Sequence, residues 1–141
     1  MNIEQLMHEH DLIDEHTLAL ERACEAVSPD IDQVLTTRDA LRTILEDHLS
    51  HEDEALFGKL MTANHESAAA VESFTADFAD LRADWSLYLS DWSGEWLTTD
   101  WPGFQRETAA LMRRIRERTG RETGLLYPLA LKSGAVALRA A

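Results

Sequence analysis

Cysteine is all but missing from this chain: Cys24 stands alone, so no internal disulfide can form. A single thiol fits a reducing compartment, and a cytoplasmic location is expected. Helix breakers are scarce too, with 3 prolines and 6 glycines in 141 residues, which leaves long stretches free to stay regular. No apolar run approaches the length that crosses a bilayer, so no membrane role is expected. The first residues carry Glu4 and Glu9 and lack the basic start and apolar run of a signal peptide. Basic residues are few, 13 Lys and Arg against 26 Asp and Glu, for a formal charge of −13. Residues 1–70 hold 16 of those acids and only 4 of the bases. Such a field repels phosphate and excludes a nucleic-acid partner. The local exception, Arg113, Arg114, Arg116, Arg118 and Arg121, reads as the complement of an acidic neighbouring helix. Histidine is absent after residue 65, so the last 76 residues offer an imidazole-type site nothing but carboxylates.

What is present is a core. Hydrophobic residues make up 45% of the chain, which suits one globular domain over residues 1–141. Ser28-Pro29-Asp30, the stretch Gly58 through Asn64, and Ser93-Gly94 through Pro102-Gly103 divide it into four segments. Each segment repeats its inward positions at three and four residues, the mark of an amphipathic helix. The first stripe is Ile3, Leu6, His10, Ile13, Thr17, Leu20, Cys24, Val27, and the second is Leu41, Leu45, His48, Glu52, Leu56. The third is Val71, Phe74, Phe78, Leu81, Trp85, Tyr88, Trp92, and the fourth is Phe104, Thr108, Leu111, Ile115, Arg118, Glu122, Leu125, Leu129. The expected fold is all-α, an up-down-up-down four-helix bundle. Residues 131–141 are expected either to dock as a short C-terminal helix or to fray. Gly120 and Gly124 each cost a helix roughly 1 kcal/mol, so a break is expected near Gly120. The direction of Glu122 hangs on it.

Three stripes carry polar intruders: His10, His48 with Glu52, and Arg118 with Glu122. Interior ionisable groups are costly unless they meet partners, so these are expected to converge. The segments around the last two pairs end alike. A basic residue stands four positions before a glutamate, and an aliphatic-aromatic pair (Leu56-Phe57, Leu126-Tyr127) follows four and five positions after it. His48 and Glu52 share one helical face and suit iron, zinc or manganese, or else form a surface ion pair. His10 shares a stripe with Leu6 and Ile13, as a ligand or as a hydrogen-bonded core histidine. His65 opens the third segment and faces either the core or the helix terminus. His51 lies one position off register and is the reserve for His48, while His8 and His16 fall on the solvent side. Arg118 with Glu122 reads most simply as a partly buried salt bridge. Trp92, Trp96 and Trp101 form a partner surface or close one end of the bundle, and Cys24 reads as an inert core thiol.

Taken together, His8-Glu9-His10-Asp11-Leu12-Ile13, His48 to Phe57, His65, and Glu122 to Pro128 resemble a hemerythrin-like (HHE cation-binding) domain over nearly the whole chain. That resemblance implies a four-helix bundle around a non-haem di-iron centre that binds dioxygen or related small molecules. By position it implies His10, His48, Glu52, His65 and Glu122 as metal ligands. Two positions depart from the family pattern: Ala69 and Arg118 stand where histidines are expected. A guanidinium has no lone pair to give a metal. The resemblance therefore implies at most one site, for iron or another divalent metal, or none, with Arg118 as a charge replacing the second metal. The functions expected are sensing or binding of O2 or NO, or a metal-free module for a regulatory protein partner. Di-iron oxidase chemistry is disfavoured by the missing ligands.

Overall fold

The computed structural model describes residues 1–140. Helix α1 (Ile3–Ala23) starts at a reciprocal cap: Asn2 accepts from the Gln5 N–H while Gln5 accepts from the Asn2 N–H, both at 2.9 Å. It ends at Ala23, so Val27, expected on the inward stripe, falls in the following turn and is 99% exposed. Asp30 caps α2 (Ile31–Glu52) by accepting from the Gln33 N–H.

Helix α2 does not end at Gly58, the first residue of the expected break (Gly58 through Asn64). It widens through one π turn (Asp53–Phe57) and runs on as α3 (Gly58–Ala63). The chain breaks only at Asn64, whose extended backbone and side-chain acceptor cap α4 (His65–Asp91). The third connection folds a short helix, α5 (Gly94–Thr99), before Asp100 caps α6 (Trp101–Arg121) with Pro102 in its first turn. A Cβ on Gly103 would run into the Asp100 carboxylate, so a larger residue there would push the capping group aside.

The expected break near Gly120 is also absent. A second π turn (Glu122–Leu126) carries α6 into α7 (Tyr127–Ser133), with the Tyr127 N–H donating to the Glu122 carbonyl five residues back. The extra residue shifts the register. Leu126, Tyr127 and Ala130 are buried, whereas Leu125 is exposed and Leu129 only half-buried. Gly134 ends α7 at φ 72°, a conformation that favours glycine. The short C-terminal helix is α7, set earlier in the chain than expected, and beyond it residues 134–140 pack back on α1. Val136 is buried, and the carbonyls of Ala137 and Leu138 accept from the Ile3 and Glu4 N–H groups at 2.9 and 2.8 Å. Two otherwise orphaned donors at the start of α1 are thereby satisfied.

The four long rods, α1, α2–α3, α4 and α6–α7, enclose one core that includes Leu6, Ile13, Leu41, Leu45, Phe74, Leu111 and Ile115. Each such side chain contributes about 1.5–3 kcal/mol through burial. One end is closed by aromatics, with Tyr88 stacked on Trp85 and Phe104, and Phe104 stacked on Trp101. Of the tryptophans there, Trp101 is buried and Trp96 is exposed. Among the described residues no helix is long and apolar enough to cross a membrane.

Candidate metal centre

Midway along this core, α1, α2 and the second π turn send polar groups to one point. His10, His48, Glu52 and Glu122 are all buried and offer ligand atoms within 4.8 Å of one another. Glu122 Oε1 lies 3.0 Å from His10 Nε2 and 3.4 Å from His48 Nε2, and Glu52 Oε1 lies 3.2 Å from His48 Nε2. Each glutamate sits at the entrance of a π turn, where the widened helix changes which residues face inward.

The outer nitrogens of both imidazoles are committed elsewhere. The Thr123 hydroxyl donates to the Thr119 carbonyl, so it accepts from His10 Nδ1–H at 3.0 Å. His48 Nδ1–H donates to Glu9 Oε1 at 2.8 Å, and the other Glu9 oxygen takes the Nδ1 of His51. Each Nε2 is left presenting its lone pair toward carboxylate oxygens. Convergent lone pairs repel unless a cation sits among them: protons in the bare protein, or a metal.

Charge follows from the same geometry. Burial opposes a charged His48, but the hydrogen bond it donates to Glu122 and the negative charge of Glu52 and Glu122 outweigh it and push the imidazole up to about 10. Burial, with the charge of Glu122 beside it, pushes Glu52 up to about 8. Burial works against the Glu122 carboxylate as well, yet the protonated Glu52 beside it and hydrogen bonds from His10 and His48 hold it well below the usual range. The bare cluster thus keeps a proton on His48 and ionises Glu122 first.

Two more groups complete the cluster: Tyr127, which the periodicity misses, and Arg118, which it places on the inward stripe. The Tyr127 hydroxyl lies 2.9 Å from His10 Nε2 and donates to Glu52 Oε2 at 3.1 Å. Burial and the nearby glutamates push that phenol strongly up, so it stays neutral here. Arg118, 9% exposed, places its guanidinium 3.8 Å from Glu52 Oε1 and 3.9 Å from Glu122 Oε2, over the Phe74 ring at 5.1 Å. These are longer than hydrogen bonds. Glu52 Oε1, Glu122 Oε2 and Arg118 Nε accordingly remain buried without hydrogen-bond partners.

The donor set fits a metal. Metal–ligand bonds of about 2.1 Å put neighbouring donors about 3.0–3.4 Å apart, the spacing found here. The outer hydrogen bonds from imidazole to Glu9 and Thr123 are the orienting contacts that metal-bound histidines use. Orphaned carboxylate oxygens at the centre supply the remaining acceptor capacity.

His65 is the exception among the residues expected at the centre. As the first residue after the Asn64 cap it is exposed on the opening turn of α4, and Ser67 is the first side chain there to turn inward. Ala69 is exposed one turn further on. His51 is partly exposed and meets the centre only through Glu9. His8 is exposed, and His16 bonds the Leu12 carbonyl within its own helix.

The model of the hemerythrin HHE cation-binding domain matches residues 1–130. The chain belongs to that family. Its members bind metal, and the buried His/Glu group of this hemerythrin-type bundle is able to hold one. No curated protein and no solved structure matches the chain.

Proposed function

We propose that this hemerythrin-type domain holds one divalent cation, iron foremost, between His10, His48, Glu52 and Glu122, and that it responds to a small molecule such as O2 or NO. The observation that carries the reading is the pair of imidazoles whose Nδ1–H groups are engaged outward while both Nε2 lone pairs meet buried carboxylates. Mixed imidazole and carboxylate donors suit iron, zinc or manganese, and bound iron would supply a redox-active centre open to small ligands.

One metal is proposed rather than two because half of the family's ligand set is missing. Arg118 stands at the helical position where a histidine is expected, and His65 and Ala69 are exposed. The fixed charge of Arg118 offsets the two glutamates on the side that a second metal would otherwise serve. Single-metal binding favours sensing over multi-electron oxidation. A lone cysteine and strong acidity support the cytoplasm as the working compartment.

Metal analysis of protein reconstituted with ferrous iron, paired with thermal melting before and after chelation, tests the reading. One metal per chain and a melting temperature that rises with the logarithm of free metal are expected. Two tightly held irons per chain would overturn it. A chain that takes up no metal would leave a metal-free interaction module, for which exposed Trp96 offers a regulatory partner its anchor.

A further inference from the structure

Where α4 hands over to α5 and α6, the surface opens into a recess of about 230 Å³ lined by Asp91, Trp92, Trp96, Asp100 and Glu107. None of these residues belongs to the metal centre. One water needs roughly 10–15 Å³ of such space, so the recess has room for a whole side chain. Two indoles and three carboxylates form its walls, and no Lys, Arg or His lines it.

Much of that wall is held in place by the fold. The Trp92 carbonyl accepts from buried Arg38 at 2.6 Å, its indole N–H donates to Glu107 Oε2 at 2.8 Å, and its ring meets Phe104 edge-on at 5.6 Å. Asp100 Oδ1 accepts from the Gly103 N–H at 3.0 Å. Trp92 and two of the carboxylates are thus set before anything binds, which lowers the ordering cost of binding. Arg38 touches this wall from behind and offsets one of the three negative charges, leaving two.

An indole face beside carboxylates attracts a cation. A guanidinium suits it best, since the flat group lies on an indole while its N–H fork reaches carboxylates. A metal ion would leave both indoles idle. Trp96 is 60% exposed, and Leu87, 58% exposed, stands one turn before Asp91 on the same face of α4. A small free cation has no use for Leu87, whereas a protein segment covers Leu87 and Trp96 together.

We propose that this recess docks an arginine side chain of a partner protein, with apolar residues beside the arginine covering Leu87 and Trp96. Docking there does not depend on bound metal.

A capped peptide Gly-Leu-Arg-Leu-Gly, titrated into the full chain and followed through the tryptophan indole N–H resonances, tests it. The arginine peptide should move the Trp92 and Trp96 signals more than those of Trp85 and Trp101. Its citrulline counterpart keeps the shape, loses the charge and should bind about tenfold more weakly. Trp96→Ala should weaken the arginine peptide about two- to fivefold, the loss of an exposed cation–π contact. Asp91→Asn should weaken it as well, and both positions are exposed, so the fold should be kept. Unmoved indole signals overturn the proposal. So does an affinity that Trp96→Ala leaves unchanged, which would spread the peptide over the acidic surface at large. A lysine peptide of equal affinity would mean that charge alone is read, and guanidinium chloride binding as tightly as the peptide would make the occupant a small free cation; either result overturns it too. Metal content should not change in either variant, so the metal reading and this one fail separately.

Discussion

The hydroxyl of Tyr127 donates to Glu52 Oε2 at 3.1 Å, joining the residue that precedes the first π turn to the one that follows the second. Tyr127 is 2% exposed, so no water replaces the bond when it is lost. Tyr127→Phe should destabilise the metal-free protein by about 1–3 kcal/mol, the cost of stranding a buried acceptor. Bound metal would engage the same carboxylate, so the loss should shrink in the loaded protein. Denaturant titrations with and without metal measure both values, and equal losses would argue against a shared ligand at Glu52.

Removing the built-in cation should cost more. Arg118→Leu leaves Glu52 and Glu122 buried with no guanidinium beside them and is expected to destabilise the bare fold by about 3–5 kcal/mol. Divalent metal should recover much of that loss. Calorimetric melting with and without added metal shows whether it does. A variant as stable as the parent would mean that the guanidinium carries no charge-balancing role.

Glu9 orients His48 without reaching the centre itself. Glu9→Gln keeps an acceptor but removes the negative charge behind the imidazole, and should weaken metal binding about 10- to 100-fold. Competition with a chelator of known affinity reads this directly. The helical content should stay unchanged, because Glu9 borders the core rather than filling it.

Proton linkage ties both the stability of the bare protein and its gain from metal to pH. His48 is held protonated, so its contribution is whole below 6.5 and is lost as pH rises toward about 10. Glu52 keeps its proton up to about 8, while the unfolded chain releases it near 4.5. In both cases the folded state binds more protons, so metal-free stability should fall as pH climbs from about 6.5 to 10. The depressed Glu122 acts the other way, its contribution being lost only as pH drops below its ordinary 4.5. Metal displaces the proton on His48, so the stabilisation by metal should grow over the same alkaline range. Melting curves at a series of pH values settle the sign.

Cys24 should behave as a protected thiol. Burial pushes it up to about 11, against a weaker opposing hydrogen bond to Thr108. Alkylation should therefore be negligible in the native protein at neutral pH and complete in denaturant. Rapid labelling of folded protein, read by mass spectrometry, would show the α1 terminus to be open.

The four rods and the meeting of His10, His48, Glu52 and Glu122 were legible in the sequence because each residue occupies an inward position of a regular stripe. Periodicity failed where regularity does. It assumed 3.6 residues per turn throughout, so the π turn after Glu122 moved the buried positions from Leu125 and Leu129 to Leu126, Tyr127 and Ala130. That slip hid Tyr127, although its place in the repeated glutamate-to-aromatic spacing was the available clue. The break expected over Gly58 through Asn64 falls at its last residue, while the one expected near Gly120 is missing because the tertiary packing carries the helix through. His65 was misplaced because a residue directly after a helix cap need not follow the stripe that begins a turn later. Glu9 escaped notice because it sits one position from His10, on the flank of the helix.

The Asp53–Phe57 turn also has a consequence for chain length. A π turn takes up one residue more than an α turn and absorbs it locally, so deleting a single residue there should straighten the turn and leave the rod beyond it close to its present facing. Leu60 would then stand seven rather than eight positions after Glu52, about 20° short of two full α turns, and would stay in the interior with His48 and Glu52. The residue gained in that turn thus alters the shape of the backbone beside the ligand pair and not the facing of the rod that follows.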